Sequence, residues 1–588
     1  MWIKKAVDMI KGLEKPDVAI INGHLVDVVT GSIVRVNVYV KENRVVFLSE
    51  HRYERLENDA LVIDASGMYI APGFIDSHAH VESSLVIPSL FGHLLLKEGV
   101  TTSIVDLHEV ANVAGDEGIK AMIRDMEISP LKFVIQVPSC VPPDPELETS
   151  GGTLNSEKVE VILEELNESN LVVGLGEMMS YKRLLEYDRG LLRKLGRAYE
   201  MGLVINGHTA DMEGPELQAY AVFKVATDHC ARGGEEVMER LRSGLYVQIQ
   251  KRSCESCFRE IVNVLKSLPT THRVMWCTDD AEADEIWLGT YTVRSIVKEA
   301  IELSLDPIKA IQMATINAAQ AYRIDSEVGL IAPGRYADMI ILRSLERVNI
   351  ESVLANGKVV FHRGRYLVEL PKPHQDLERF NGNTLSVGSE LKPIDLVPRA
   401  EIESGSAVVN ILTVEKTVTS DILPIKEGVI TCDPSKDIAW ISVINRYGKG
   451  YISRGFVKGT GIREGAFSSS VSHDTHNIVV IGTDINDMYT SLAEILKSGG
   501  GIAFVSKGNL VSKIELPYFG LMSSDPALPT RLADFKKKLL ANGIKVPLKK
   551  LMFLTLTVGR GGYAITDKGL VDYKAKKTLP TLVEYVSR

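Results

Sequence analysis

The sequence predicts an α/β protein in which a (β/α)8 barrel of the TIM type is inserted into a small β-sandwich module and followed by a C-terminal α+β domain. Strand-like and helix-like runs alternate between residues 73 and 325, short alternating strands flank this region on both sides, and the composition changes beyond residue 395. Eight βα units in about 250 residues is the size of such a barrel. A chain of 588 residues is also too long for a single hydrophobic core.

The β-sandwich module is predicted from two separate segments, 1–72 and 326–372. In the first, strands alternate with turn residues such as Asn22-Gly23 and Thr30-Gly31. Similar strand-like runs return in the second, in VGLIAPGRYADMIILRSLERVNIESVLANGKVVFHRG. Insertion of the barrel into one module would explain why its two flanks look alike.

Eight strand-like runs follow one another in the barrel region, and several are separated by segments with apolar residues at helical spacing. The runs are MYIAPGFIDSHAH, TTSIVDLHE, KFVIQVPSC, LVVGLGEM, LVINGH, VFKVATDH, LYVQIQKRS and RVMWCTDD. In such barrels the chemistry takes place where the strands end. Reactive side chains at these ends would therefore indicate a site.

Six of the eight runs end in or beside histidine, aspartate or glutamate. These residues are His78 and His80; Asp106, His108 and Glu109; Glu177; His208; Asp228 and His229; and Asp279 and Asp280. Because His78 and His80 are two positions apart, both rings point to the same side of a strand. Histidine and carboxylate side chains bind metal ions that activate water. The strand ends therefore predict a metal-dependent hydrolytic site.

The segment 373–395 is polar and turn-rich and is predicted to be a linker to the C-terminal domain, 396–588. The densest polar cluster of that domain is SHDTHN, residues 472–477. One interpretation is a turn in which Ser472 and Asp474 bond backbone amides. The other is a loop over the barrel mouth, from the same chain or a neighbouring subunit, where His473 and His476 help to enclose the substrate.

The charge and hydropathy of the chain exclude several classes of partner. A formal net charge of -9, from 67 basic and 76 acidic residues, argues against a nucleic-acid binder. No segment approaches the roughly 18 apolar residues that cross a bilayer. The N-terminal MWIKKAVDMIKGLEK lacks an apolar signal core. We therefore expect a cytoplasmic protein without a membrane or nucleic-acid partner, and a homo-oligomer, dimeric or larger.

Segments along nearly the whole chain resemble the amidohydrolase superfamily and, within it, the adenine deaminases of bacteria and archaea. They are PGFIDSHAHVESS (72–84), DLHEVANVAG (106–115), GLGEMMSY (174–181), CTDD (277–280), GLIAPGRYADMIIL (329–342), SHDTHNIVVIG (472–482) and GLMSSD (520–525). The match includes the C-terminal domain, which most amidohydrolases lack. The resemblance implies hydrolysis of adenine to hypoxanthine and ammonia in purine salvage.

The resemblance also implies a ligand set for one or two divalent metal ions. By position, the ligands would be His78, His80, Glu177, His208, His229 and Asp279. Glu177 would bridge two ions, at the position where many relatives carry a carboxylated lysine. The family favours Mn²⁺ or Fe²⁺, and the ligand types also allow Zn²⁺. The match is looser at Asn206 and Cys230, where the family often has Asp and Glu.

The roles of the remaining residues follow from the chemistry. Asp279 is the expected proton shuttle, which takes a proton from water and delivers it to the leaving amine. His229 could bind metal or polarise the purine. Glu82 faces the same side as His80 if the strand continues, and could orient a histidine or contact the purine. Other near-site residues that bind substrate or orient ligands are His108, Glu109 and Asp280.

Two other functions stay open from the sequence. One is an amidohydrolase that acts on a cyclic amide or on another aminated heterocycle, which the barrel residues alone would allow. The other is a scaffold that keeps the fold without catalysis. Such scaffolds lose ligands, whereas this chain keeps all six.

Overall fold

The computed structural model describes residues 2–53, 57, 59–168, 172–254, 256–388 and 390–586. It contains a barrel of parallel strands, a sheet built from both flanks of the barrel, and a C-terminal domain of sheets and helices. The predicted fold class is confirmed, while the domain boundaries stay predictions. No helix in the described ranges is both long enough and apolar enough to span a membrane.

The flanking module is one hydrogen-bonded sheet of nine strands that takes strands from both segments. Its strands are Val18–Asp27, Ser32–Lys41, Arg44–Ser49, Leu61–Asp64, Tyr69–Pro72, Met339–Leu342, Ile350–Ala355, Lys358–His362 and Arg365–Tyr366. The two segments meet where Pro72 lies opposite Met339 in an antiparallel pair. Their side chains share one core, in which Ile20 and Leu354 are fully buried. An N-terminal helix, Trp2–Ile10, buries Ala6 and Met9 against this sheet.

Eight parallel strands form the barrel and are called barrel strands one to eight. They are Phe74–Ala79, Val100–Asp106, Lys132–Val137, Val172–Met178, Val204–Gly207, Thr227–Asp228, Tyr246–Ile249 and Val274–Trp276. Strands one to five and six to eight form two sheets. The Ala226 amide donates to the Ile205 carbonyl at 2.8 Å, which joins strand six to strand five. The Asp279 amide donates to the His78 carbonyl at 2.9 Å, which closes the ring.

Helices follow most of the barrel strands and cover the outside of the ring. They are Pro88–Leu96, His108–Met126, Ser156–Glu168, Tyr181–Leu185, Arg189–Glu200, Gly214–Val222, Gly234–Arg242, Phe258–Ser267, Ala283–Leu288, Val293–Glu302, Pro307–Met313 and Ile316–Ala321. Amphipathic sequences such as RGLLRKLGRAYE bury one face, here through Leu191 and Leu195, and leave the charged face to solvent.

Three barrel strands differ from the sequence runs that predicted them. The first run is divided at Gly73, where a side chain would clash with Thr101, so its first half joins the nine-stranded sheet. The sixth strand is only Thr227–Asp228, because a turn at Lys224, with φ +66°, interrupts the run. The second strand ends at Asp106, and the residues after it begin a helix.

The C-terminal domain has two sheets and three helices, and it packs on the barrel mouth. The ten-stranded sheet contains Ser404–Thr413, Val418–Lys426, Val429–Ile430, Ile438–Ile444, Ile452–Lys458, Ala466–Ser469, Ile478–Gly482, Gly501–Ser506, Asn509–Glu515 and Leu582–Tyr585. The small sheet contains Tyr563–Thr566, Gly569–Asp572 and Lys577–Leu579, and the helices are Ile485–Lys497, Leu528–Ala541 and Leu548–Met552. Backbone bonds from Ile87 to Ser523 and from Ser523 to Leu85 join this domain to the barrel.

Candidate metal centre

The structure brings the six predicted ligands to the carboxyl ends of five barrel strands. His78 lies in strand one and His80 directly after it, and Glu177 lies in strand four. The other three, His208, His229 and Asp279, follow strands five, six and eight. Residues 201 positions apart in the chain, such as His78 and Asp279, meet because the ring closes between strands eight and one.

Glu177 is at the centre of the cluster and contacts three of the histidines predicted as ligands through both carboxylate oxygens. Its Oε1 lies 3.1 Å from His80 Nε2 and 3.6 Å from His78 Nε2, and its Oε2 lies 3.4 Å from His229 Nε2. All four side chains are buried. The two oxygens thus face different histidines, which is the arrangement that a bridging carboxylate requires.

Asp279 faces the same two histidines of strand one from the other side. Its Oδ1 lies 3.2 Å from His80 Nε2 and 3.6 Å from His78 Nε2. The backbone of Asp279 is in the left-handed region, with φ +56°. The Asp279 amide donates to the His78 carbonyl, and the Asp279 carbonyl accepts from the His80 amide at 3.0 Å. Such constrained conformations occur where a side chain must be directed into a site.

His208 lies farther from Glu177 than the other histidines. Its ring centroid is 5.2 Å from that of His229, and its nearest possible co-ligands are His229 and Cys230. The His229 ring in turn stacks on His78 at 4.3 Å between centroids. The cluster therefore has a compact part around Glu177 and an extension toward strands five and six.

The electrostatics hold the carboxylates in the form that binds cations. Burial alone would raise the pKa of Glu177, but His229 and His78 hold it well below its usual range. Burial also acts to raise the pKa of Asp279, and His80 and His229 lower it. Burial lowers the pKa of His229 to about 4, so that ring is neutral at neutral pH. Burial alone would lower the pKa of His80, but Asp279 and Glu177 raise it well above its usual value, so a metal ion bound there would displace the proton of that ring.

Buried nitrogen atoms in the cluster are without partners, and this tests whether a metal fits. Both ring nitrogens of His78 and the Nδ1 atoms of His208 and His229 have no hydrogen-bond partner among the described residues. Buried polar atoms are rarely left unpaired, because this costs stability. Ligand atoms bonded to one ion at about 2.0–2.2 Å lie roughly 3–3.5 Å apart, and three of the five Nε2-to-oxygen distances here are 3.1, 3.2 and 3.4 Å. The residues therefore fit a divalent metal.

Asp106, at the end of strand two, supports Glu177 from behind. Its Oδ2 accepts a hydrogen bond from the Glu177 amide at 2.7 Å, and it is fully buried. Gly176 permits this contact, because a β-carbon there would lie 2.2 Å from Asp106 Oδ2. The glycine before Glu177 therefore sets the position of the central carboxylate.

Replacing Gly176 by alanine should lower both the melting temperature and the metal content, because the new methyl group displaces the Asp106 carboxylate. The lost contact and the overpacking should together cost roughly 1–3 kcal/mol. Gly196→Ala is the matched control: it lies in the exposed part of a helix, nothing lies within 4 Å of the added carbon, and it should be neutral or slightly stabilising. A Gly176→Ala protein that melts and binds metal like the wild type would contradict this account.

Strand one does not continue to Glu82, so the condition under which Glu82 would face the same side as His80 is not met. Strand one ends at Ala79, and Glu82 begins a short 3-10 turn, Glu82–Ser84. The Glu82 carboxylate is buried and accepts a hydrogen bond from the Val110 amide at 3.0 Å. Glu82 thus lies beside the first turn of the helix His108–Met126, because the chain turns as soon as it leaves the barrel.

His108 and Glu109 lie in the first turn of the helix His108–Met126 rather than at a strand end. His108 Nδ1 is 3.6 Å from Glu177 Oε1, so His108 borders the central cluster. Asp280 points away from that cluster and accepts a hydrogen bond from the Ser83 hydroxyl at 2.6 Å.

The loop 472–477 of the C-terminal domain, called the mouth loop below, reaches the barrel of the same chain. His473 Nδ1 lies 2.8 Å from Glu109 Oε1, and Asp474 Oδ1 lies 3.6 Å from His108 Nε2. His476 is fully buried beside Glu109. Of the two interpretations from the sequence, the geometry is that of a loop over the mouth.

Asp106 and Asp474 have contacts in the site that the sequence does not predict, since Asp106 appears there only as a strand-end residue and Asp474 only as a possible turn residue. The sequence does hold a signal for Asp106, because it ends an apolar strand and a buried carboxylate there needs a partner. Asp474 gives no such local signal, since its contact with His108 joins residues 366 positions apart.

Comparison with known proteins places the chain in a family. The model of the amidohydrolase family matches residues 69–360, and that of the adenine deaminase C-terminal domain matches residues 411–577. The adenine deaminase of Staphylothermus marinus is 32% identical over 600 residues, covering 98% of this chain and 97% of that protein. That of Thermosipho africanus is 33% identical over 599 residues, covering 99% and 100%. That of Clostridium acetobutylicum is 32% identical over 588 residues, covering 97% and 98%. The barrel region and the C-terminal domain are thus matched together, and the chain belongs to the adenine deaminase family of the amidohydrolases.

Proposed function

We propose that this protein hydrolyses adenine to hypoxanthine and ammonia at the mouth of the barrel, in purine salvage. The observation that carries the proposal is the contact of Glu177 with three histidines opposite Asp279, in a chain similar over its whole length to proteins named adenine deaminase. The reaction adds water to the ring carbon that bears the exocyclic amine and releases that amine as ammonia.

The residues that would hold divalent metal are the six predicted ligands. Glu177 would bridge two ions, since its two oxygens face different histidines. When bound, the metal lowers the pKa of water from 15.7 to roughly 7 and so supplies a nucleophile at neutral pH. The family resemblance favours Mn²⁺ or Fe²⁺, and the mixed histidine and carboxylate set also accepts Zn²⁺.

Asp279 is placed to move protons between water and the leaving amine. Its carboxylate lies beside His80 at the centre of the cluster and is in the ionised form, which leaves its oxygens open to a proton. The amine must leave as ammonia, because amide ion is a very poor leaving group, and Asp279 can return the proton to the amine nitrogen. His229 is neutral and can bind metal or direct its ring toward the purine. Glu177 would hold the rings of His78, His80 and His229 in position through its two carboxylate oxygens.

The mouth loop would enclose the substrate and exclude water, as active-site lids do. His473 and His476 are held over the barrel through Glu109, and His108 is placed between the loop and Glu177. We assign Glu82 and Asp280 to positioning of this mouth, through Val110 and Ser83.

A panel of ammonia-release assays tests the proposed substrate. Adenine should be hydrolysed with much higher kcat/KM than adenosine, guanine, cytosine or a cyclic amide such as hydantoin, because the chain is similar over its whole length to proteins named adenine deaminase. Preference for a cyclic amide or another aminated heterocycle would favour the rival amidohydrolase. Failure on every compound by protein that carries its metal would favour the scaffold. A cytoplasmic location and a homo-oligomeric state stay predictions from the sequence.

A further inference from the structure

A second cluster of ligand-type side chains lies beside the central cluster, between the barrel and the C-terminal domain. Glu109 faces His473 and His476 of the mouth loop, with Oε1 2.8 Å from His473 Nδ1 and Oε2 3.6 Å from His476 Nε2. We propose that these three side chains bind a further divalent cation, which is separate from the centre at Glu177 and joins the mouth loop to the barrel.

The three side chains are buried and two of their ligand atoms are unpaired. Glu109, His473 and His476 are 1%, 3% and 0% exposed. Glu109 Oε2 and His476 Nε2 have no hydrogen-bond partner within the part of the chain that the structure describes. The ligand atoms of the three residues lie within 4.8 Å of one another, close enough to bind one ion. A cation there would satisfy both, whereas leaving them bare costs stability.

The charge around the cluster favours a cation. Glu82 is fully buried near Glu109, where its Oε1 accepts from the Val110 amide at 3.0 Å and its Oε2 has no hydrogen-bond partner among the described residues. The Ser83 hydroxyl is 2.9 Å from Glu109 Oε1 and 2.6 Å from Asp280 Oδ1, although it has only one proton to donate. The Lys549 ammonium lies 3.9 Å from Asp280 Oδ2. Three carboxylates, those of Glu82, Glu109 and Asp280, thus lie around the cluster with the His473 imidazole and the Lys549 ammonium.

The mouth loop holds its two histidines in place from the C-terminal side. The His473 amide donates to the Met552 carbonyl at 3.2 Å, and its carbonyl accepts from the Thr555 hydroxyl at 2.8 Å. His476 Nδ1 accepts from the Ser472 amide at 3.3 Å, a long contact. Binding through Nε2 puts the ring proton on Nδ1, so this contact must yield when the ion binds. The remaining anchors preorganise the ligands, as a metal site requires.

The second cluster is distinct from the first and has its own chemistry. The ligand groups around Glu177 share no residue with the group of Glu109, His473 and His476. Two imidazoles and one carboxylate suit Zn²⁺, Fe²⁺ or Mn²⁺. Because the ion would connect a barrel helix to the mouth loop, we expect it to hold the C-terminal domain over the barrel mouth. The inference does not depend on which substrate the barrel hydrolyses.

Counting metal in purified protein tests this site. Wild-type and His473→Gln/His476→Gln proteins are equilibrated with the same excess of Mn²⁺, separated from free ion by gel filtration, and analysed by mass spectrometry of the metal. The double variant should carry about one ion per chain less than the wild type. His272→Gln is the matched control and should carry the wild-type amount, because His272 is exposed and its ring is hydrogen-bonded to Thr270 at 3.1 Å.

A second pair of variants separates the two sites and guards against a folding defect. Glu109→Gln keeps the size of the side chain and its contact with Ser83, and it should lose the same ion as the double histidine variant. Combined with His78→Ala, its metal loss should add to that of His78→Ala. Wild-type metal content in both Glu109→Gln and the double histidine variant would overturn the proposal and leave Glu109 and His473 as an ion pair. So would complete loss of metal on His78→Ala alone. Neither count uses adenine, so failure of the proposed function would be seen separately.

Discussion

Asparagine in place of Asp279 is expected to lower adenine turnover by about 10²–10⁴-fold with the fold intact, the usual contribution of a positioned acid or base. The asparagine amide has the size of the carboxylate but cannot accept a proton. Asp279 Oδ1 lies 3.2 Å from His80 Nε2, so a neutral group there also removes one negative charge from the cluster. Ammonia release gives kcat and KM, and a thermal melt with metal analysis reports on fold and metal occupancy.

Asp306→Asn provides the matched control for this change. Asp306 caps the helix Pro307–Met313 by accepting from the Lys309 amide, and asparagine caps helices equally well. Turnover and stability should therefore stay at the wild-type values. If Asp279→Asn hydrolyses adenine within a few-fold of the wild type at full metal occupancy, the proton-shuttle assignment is wrong.

Truncation of His78 to alanine should lower metal content and adenine turnover together. Its Nε2 lies 3.6 Å from both Glu177 and Asp279, so the ring joins the two carboxylates of the centre. Alanine also removes the surface on which the His229 ring stacks at 4.3 Å. Loss of a primary ligand should reduce activity by at least about 10²-fold, with the remaining activity proportional to the metal bound.

An alanine at His272 should change neither quantity, because that histidine is exposed on the far side of strand eight from the mouth. Metal bound to His78→Ala at the wild-type level, with normal turnover, would show that the ligands lie elsewhere.

The centre could be anticipated from sequence to the extent that regular structure places it. Strand periodicity puts His78 and His80 on one side, and barrel topology puts the end of strand eight beside that of strand one. The meeting of His78 and Asp279 follows from these two rules, and Glu177 joins them because it too lies at the carboxyl end of a barrel strand. Neither rule needs information about side-chain packing.

Residues beyond the strand ends could not be placed in this way. Glu82 would face the side of His80 only in a continued strand, but the chain turns after Ala79. Periodicity does not specify where a loop turns. The contact of Glu109 with His473 depends on how the C-terminal domain packs on the barrel, across 364 positions of sequence. Local patterns do not encode such packing, so the sequence left the place of the mouth loop open.

Adenine turnover by metal-free protein tests the central claim most directly. The enzyme is treated with a chelator until no divalent metal is detected, assayed for ammonia release, and assayed again after addition of Mn²⁺ or Fe²⁺. Metal-dependent hydrolysis predicts that turnover disappears with the metal and returns with it. The protein should stay folded in both states, so its circular dichroism spectrum should not change. Wild-type turnover that persists after complete metal removal would contradict the whole account.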